Sequence, residues 1–249
     1  MKLFLFCFSL ILASISLTTD VYANSLILAP GLNISIGNTE DPAGVVEGLQ
    51  ILFLFSLISL APSLLVTMTA FTRIIIVLHF IRSALGTQQM PPNQVLIGLA
   101  LFLTMHVMAP TFNDINENAI QPYTQGLISQ SEAIELAMEP MRQFMSRQVL
   151  EDDVLLFAML AGANFAPEDI PNSVLIPAFI LGEITAGFLA GFLIFLPFII
   201  VDMVVASVLM AMGMMMLPPA MISLPFKILL FIMVDGWNLI LGTIVTTFR

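Results

Sequence analysis

Apolar positions run along this chain in long blocks rather than in short alternating stretches. Four such blocks cover 45–68, 94–112, 174–217 and 220–248. As helices, each is long enough to cross a hydrocarbon core of about 30 Å. The third exceeds a single span and carries Pro197 near its middle, which leaves two arrangements: one span plus a second helix, or a broken helix that enters the bilayer and returns. A polar stretch over 113–173 separates the second and third blocks and has its own rhythm. There Ile134, Met138, Met141, Met145 and Val149 recur at helical spacing. Pro140 suits the first turn of a new helix, after a short one that ends near Glu139. Asp152 or Asp153 can cap a helix from Val154 to Ala161, and Gly162 ends it. The pattern predicts an all-α membrane protein of apolar helices and helical hairpins, with short amphipathic helices in the polar stretch.

Composition agrees. With 59% hydrophobic and only 10% charged residues, the chain lies outside the range of soluble globular domains. The net charge of -10 is local, because most of the seventeen acids lie between Asp114 and Asp169. Nucleic acid is excluded as a partner by that acidity, and membrane lipid is the expected surroundings. Lys2, the apolar run from Leu3 to Leu17 and the small-residue pattern Val21-Tyr22-Ala23 read as a signal peptide over 1–23. Its removal takes Cys7, the sole cysteine, with it. A polar segment over 24–44 follows. The link from Ala70 to Asn93 carries Arg73, His79 and Arg82 with no acid, so the positive-inside rule places it in the cytoplasm. The start of the mature chain and the acidic segment then fall outside. The predicted units are thus 1–23, 24–44, 45–112 with two apolar helices, 113–173 as a periplasmic helical segment, and 174–249 with the C-terminal apolar helices.

Three acids stand inside apolar blocks: Glu183, Asp202 and Asp235. A charge at the bilayer centre costs several kcal/mol, about 3 on insertion scales, so none faces lipid while ionised. They serve either an ion or proton relay or the packing of one helix on another. Arg73 and Arg82 are nine residues apart and point to opposite sides of one helix, which calls for burial against protein or contact with water. Lys227 joins these three acids and two arginines as a buried ionisable group that serves assembly. His79 and His106 read as hydrogen-bonded packing residues. Around Glu183, Gly182, Ala186 and Ala190 form one four-residue ladder and Gly187 and Gly191 a second, and such ladders let helices approach closely in membranes.

The run Leu209 to Pro219, LMAMGMMMLPP, combines Met210, Met212, Met214, Met215 and Met216 with Pro218 and Pro219, which halt the helix. Methionine is flexible and polarizable, so the cluster makes a deformable apolar plug or fills gaps in a core. No GxSxG, P-loop or HExxH motif occurs and the mature chain lacks cysteine, so no catalytic, metal or cofactor site is expected.

The segments PFKILLFIMVDGW (225–237), FTRIIIVLHFIRSALGTQQMPPNQVLIGLALFLT (71–104), EPMRQFM (139–145) and DMVVASVLMAMGMMMLPPAMISLPFK (202–227) resemble, in order and spacing, the FliP family of flagellar and related type III export-gate proteins. The resemblance implies a non-enzymatic subunit of the flagellar basal body in the bacterial inner membrane. It implies assembly of several copies with FliQ and FliR, next to FlhB and FlhA, into a helical multi-subunit gate that passes unfolded flagellar proteins. It further implies that the methionine run is a constriction of that pore and that hydropathy overstates the true spans. One departure stands out: the family pattern has a lysine soon after the acid that Glu183 matches, and here Gly182-Glu183-Ile184-Thr185 lacks it. Glu183 therefore needs another partner or a proton. A proton-coupled transporter using Glu183, Asp202 and Asp235 is the alternative reading.

Overall fold

The computed structural model describes residues 66–87, 89–162, 170–214 and 216–248 without interruption, along with Leu26–Ile27, Asn33–Ile34 and separate positions between 52 and 63. The expected signal peptide, most of the first apolar block and Met215 lie outside the described residues. The chain divides into two units, Met1–Pro62 and Ser63–Arg249. In the first, β1 (Leu26–Ile27) and β2 (Asn33–Ile34) form a two-residue antiparallel ladder. The second is helical throughout its described elements.

Helix α1 (Phe71–Ala84) buries Ile74, Val77, Leu78 and Ile81, the one-face repeat of an amphipathic helix, and also Arg73. A turn leads to α2 (Asn93–Ile115), which continues through a π-helical turn (Asn116–Ile120) and α3 (Gln121–Thr124) as one helical run of 32 residues. The domain boundary expected at 112 thus falls inside a helix. The π turn begins six residues after Pro110, which the α-helical part passes without a break.

In the acidic segment α4 (Gln130–Gln148) starts at Ser129, whose hydroxyl accepts from the Glu132 amide, and runs straight through Pro140. The expected division at Glu139 does not occur. One helix wins because Met141, Phe144 and Met145 become buried on its inner face, and burial of three such side chains, at roughly 1.5–3 kcal/mol each, offsets the roughly 3 kcal/mol that an interior proline costs. Helix α5 (Glu151–Ala161) begins earlier than expected, so Asp152 and Asp153 sit in its first turn instead of capping it. They still favour that end, where backbone N–H groups give a positive potential. Gly162 ends α5 in the left-handed conformation, as its sequence position predicts.

The third apolar block is one helix, α6 (Asn172–Ala211), 40 residues long and about 60 Å end to end. It passes Pro197 without a break, so neither of the two expected arrangements holds. Within apolar surroundings, neighbouring helices can accommodate the freed carbonyl that ends a helix in water. The fourth block is two helices, α7 (Pro219–Met233) and α8 (Gly236–Thr246), bent by 65° at their junction. Among the described residues, two helical runs are long and apolar enough to cross a membrane, or three if the bent pair counts as one.

The core lies where α1, α2, α4 and α6 meet: Ile74, Val77, Leu78 and Ile81 pack with Leu96, Met108, Met145 and Phe179. Gly187 and Gly191 carry the close approach of α6 to α1. A β-carbon on Gly187 meets Ile76 at 3.1 Å, and on Gly191 it meets the base of the Phe80 side chain. The ladder read from the sequence therefore serves contact within this chain, with Phe80 and Phe188 edge to face at 5.4 Å beside it.

Candidate functional site: two ion pairs and a methionine loop

Glu183 lies eleven residues into α6, about 16 Å from its start, and is completely buried. Its partner is Arg73 of α1, whose Nε donates to Oε2 at 3.1 Å while Nη2 donates to Oε1. The two-pronged pairing is the strongest form of carboxylate recognition by arginine. The same guanidinium donates to the Gln148 side-chain oxygen at 3.2 Å and to the Thr247 carbonyl and hydroxyl, each at 3.3 Å. Its flat face rests on the Phe248 ring, with Cζ 4.1 Å from the centroid. Arg73 is thus satisfied on every side, and Glu183 needs no lysine of its own helix. Gln148, Thr247 and Phe248 were not legible as site residues, because they lie 75 to 175 positions from Arg73 in the chain.

Twenty-eight residues further along α6, about 42 Å away, the helix ends and the methionine loop begins. Met212 and Gly213 turn the chain, Gly213 at φ 75°, and Pro218 and Pro219 start α7. Met210, Met212, Met214 and Met216 are all exposed, Met216 at 98%. Below the loop, Lys227 of α7 donates from Nζ to Asp202 Oδ2 at 2.6 Å, and the Ser223 hydroxyl donates to Oδ1. Lys227 and Ser223 are buried, while Asp202 keeps one edge open. This staple holds the two arms that carry the loop. An adjoining groove of about 470 Å³, lined by Ile200, Val204, Val208, Ile222 and Phe226 among others, is wholly apolar.

Besides the half-open Asp202, two more groups expected to be buried are not. Asp235 is exposed at the α7–α8 elbow with φ 50°, where its carboxylate accepts from Asn238 at 3.1 Å. An acid tolerates this left-handed conformation better than a branched side chain does, and Gly236 follows it under the Phe231 ring. Arg82 is half-buried in α1's last turn and donates to Asn93 and to the Pro91 carbonyl, fixing the turn into α2. It also donates to His79 Nδ1 at 2.9 Å. Burial first, and then the Arg82 charge, push the His79 imidazole below its ordinary pKa, which keeps that nitrogen an acceptor. Of the first ladder, Gly182 lies against Asp153 of α5 and Ala190 packs on the core.

These features define a helical membrane protein with charge pairs between its helices and an exposed methionine loop between two of them. The family model described as FliP family matches residues 54–244, and the chain belongs to that family. It is 53% identical to the flagellar biosynthetic protein FliP of Bacillus subtilis (strain 168), over 86% of this chain and 98% of that protein. It is 52% identical to that of Pectobacterium carotovorum subsp. carotovorum, over 80% and 78% of the two chains. Against the protein of Borreliella burgdorferi the identity is 47%, over 97% and 98%.

Proposed function

We propose that this chain is a structural component of the flagellar export apparatus, a gate subunit that acts in several copies with FliQ and FliR, beside FlhB and FlhA, to pass unfolded flagellar proteins out of the cytoplasm. The setting is the bacterial inner membrane, with the basic link of α1 and its turn facing the cytoplasm and the acidic helices α4 and α5 facing the periplasm. The observation that carries the reading is the methionine loop. Four methionines are exposed at the tip of a hairpin between apolar helices, anchored below by the pair of buried Lys227 with half-buried Asp202. Such a tip exposes apolar surface that a single chain leaves uncovered, and soft side chains from several copies can close on one another and yield to a passing polypeptide. A second copy is needed, because one loop encloses nothing.

Replacing Met214, Met215 and Met216 together by Ala is expected to raise ion leakage through assembled complexes severalfold, read as conductance in planar bilayers. Unchanged conductance in intact complexes overturns the seal. The transporter alternative needs acids that can exchange protons. Two of its three are committed to cations, Glu183 to Arg73 and Asp202 to Lys227, and the third stands apart at the elbow. Asp235→Asn is therefore expected to leave swimming near wild type, while Asp202→Asn lowers the yield of assembled complex by freeing Lys227. Loss of export in Asp235→Asn complexes that assemble normally favours the transporter.

A further inference from the structure

Arg82 is the side chain that ties the end of α1 to the start of α2. Gly86 opens the turn between them in the left-handed conformation, at φ 75°, and the Thr87 hydroxyl donates to the Met90 carbonyl at 2.6 Å. Across this turn Nη1 of Arg82 reaches the Pro91 carbonyl and the Asn93 side chain, while Nη2 lies 2.9 Å from Nδ1 of His79, one helical turn back on α1. A guanidinium has donors and no acceptor, so Nδ1 accepts and the ring's one proton sits on Nε2. The contact therefore belongs to the neutral imidazole alone. A second proton goes to Nδ1, and two cationic donors then face each other at hydrogen-bond distance.

No carboxylate stands by to hold an imidazolium there. The helices packed chiefly on α1 are α6 and α2. Helix α6 brings Glu183, held by Arg73 near the opposite end of α1, and Asp202, held by Lys227 of α7. Helix α2 brings His106 and Asp114, far along it from Asn93, and the described residues of the turn include no ionisable group. Next to Gly86, α7 presents Leu224.

We infer that His79 is a proton-sensitive catch: protonation drives Arg82 away and frees the start of α2 from the end of α1. The ring is half-buried, so protons from water reach it. Burial and then the Arg82 charge hold its pKa below the ordinary value, so the fold prefers the neutral ring. The sign follows: the catch stabilises fully above the ordinary imidazole pKa of about 6.5 and is lost as the pH falls below it. In the orientation proposed above, the acid it responds to is that of the cytoplasm; the catch itself does not depend on that orientation.

Amide exchange across the turn, taken as protection factors in the detergent-solubilised full chain between about pH 8 and about pH 5, tests the inference. Wild type is expected to lose protection several-fold in the turn on acidification, with the α6 core unchanged. His79→Asn supplies an oxygen in place of Nδ1 that takes up no proton, and is expected to keep its protection throughout; His79→Gln serves if that variant fails to fold. Arg82→Gln is expected to be poorly protected at every pH. A wild-type turn indifferent to pH overturns the catch. An acid response of equal size in His79→Asn overturns it too, because the sensing group then lies elsewhere, and so does wild-type protection in Arg82→Gln. The gate reading survives any of these results, since its own test is the leak of the methionine variants.

Discussion

Arg73→Ala is expected to abolish assembly and swimming, with a loss of stability of about 3–5 kcal/mol, because it leaves the carboxylate of Glu183 uncompensated in a dry site. The change removes more than one pair. Gln148, Thr247 and Phe248 lose their shared partner at the same time, so the end of α8 loosens along with the α1–α6 contact. Removing both charges separates these effects. Arg73→Leu with Glu183→Leu leaves no buried charge and should recover a large part of the stability lost in Arg73→Ala, since a well-packed apolar pair often matches a buried ion pair. It should not restore the grip on Thr247. Thermal unfolding of the detergent-solubilised chain checks both statements. A single variant as stable as wild type would show that the pair contributes little.

Gly191→Ala is expected to be the most damaging of the small changes at the helix contact. Alanine usually gains roughly 1 kcal/mol over glycine inside a helix, so the intrinsic sign favours the variant. Here the added carbon runs into Cβ, Cγ and Cδ2 of Phe80. Those atoms sit close to the α1 backbone and cannot swing aside as a side-chain tip does, so the helices must part, at about 1–3 kcal/mol or more. Gly187→Ala, whose nearest neighbour is Ile76 at 3.1 Å, should cost less, and Gly98→Ala, with nothing within 4 Å, should cost nothing measurable. The ranking Gly191, Gly187, Gly98 in unfolding temperature is the check, and equal behaviour of all three contradicts the close-packing account.

Local features of the fold were readable from the sequence where one principle acted alone. The α4 stripe from Met138 to Met145, the Gly162 end of α5, and the small-residue approach at Gly187 and Gly191 each follow from side-chain spacing and backbone freedom. The halt expected at Pro218 and Pro219, by contrast, comes earlier, at Ala211 before the Gly213 turn, and the prolines open α7 instead. Where two principles competed, packing overrode the local rule. Pro140 and Pro197 break helices in isolation, yet both lie inside continuous ones, because the surrounding burial and apolar setting outweigh one lost hydrogen bond. The bend at Asp235 went the other way: an unbroken apolar block concealed an Asp-Gly turn signal.

The site was half legible. That Glu183 needs either a partner other than a neighbouring lysine or a proton follows from the sequence set beside the family pattern, but that the partner is Arg73, 110 positions away, depends on how α1 lies across α6. The same holds for Lys227 and Asp202, which stand as isolated charges in two apolar blocks until α7 folds back on α6. A single sequence records which groups need partners and not which partners they find.

The central claim is that methionine loops from several copies converge to close one pore. A density map of the complex purified from membranes tests it most directly. The account predicts the 210–217 loops of successive copies gathered around a common axis, with side chains meeting across a closed constriction. Loops spread over the lipid-facing periphery, or an axis lined by other residues, would contradict it.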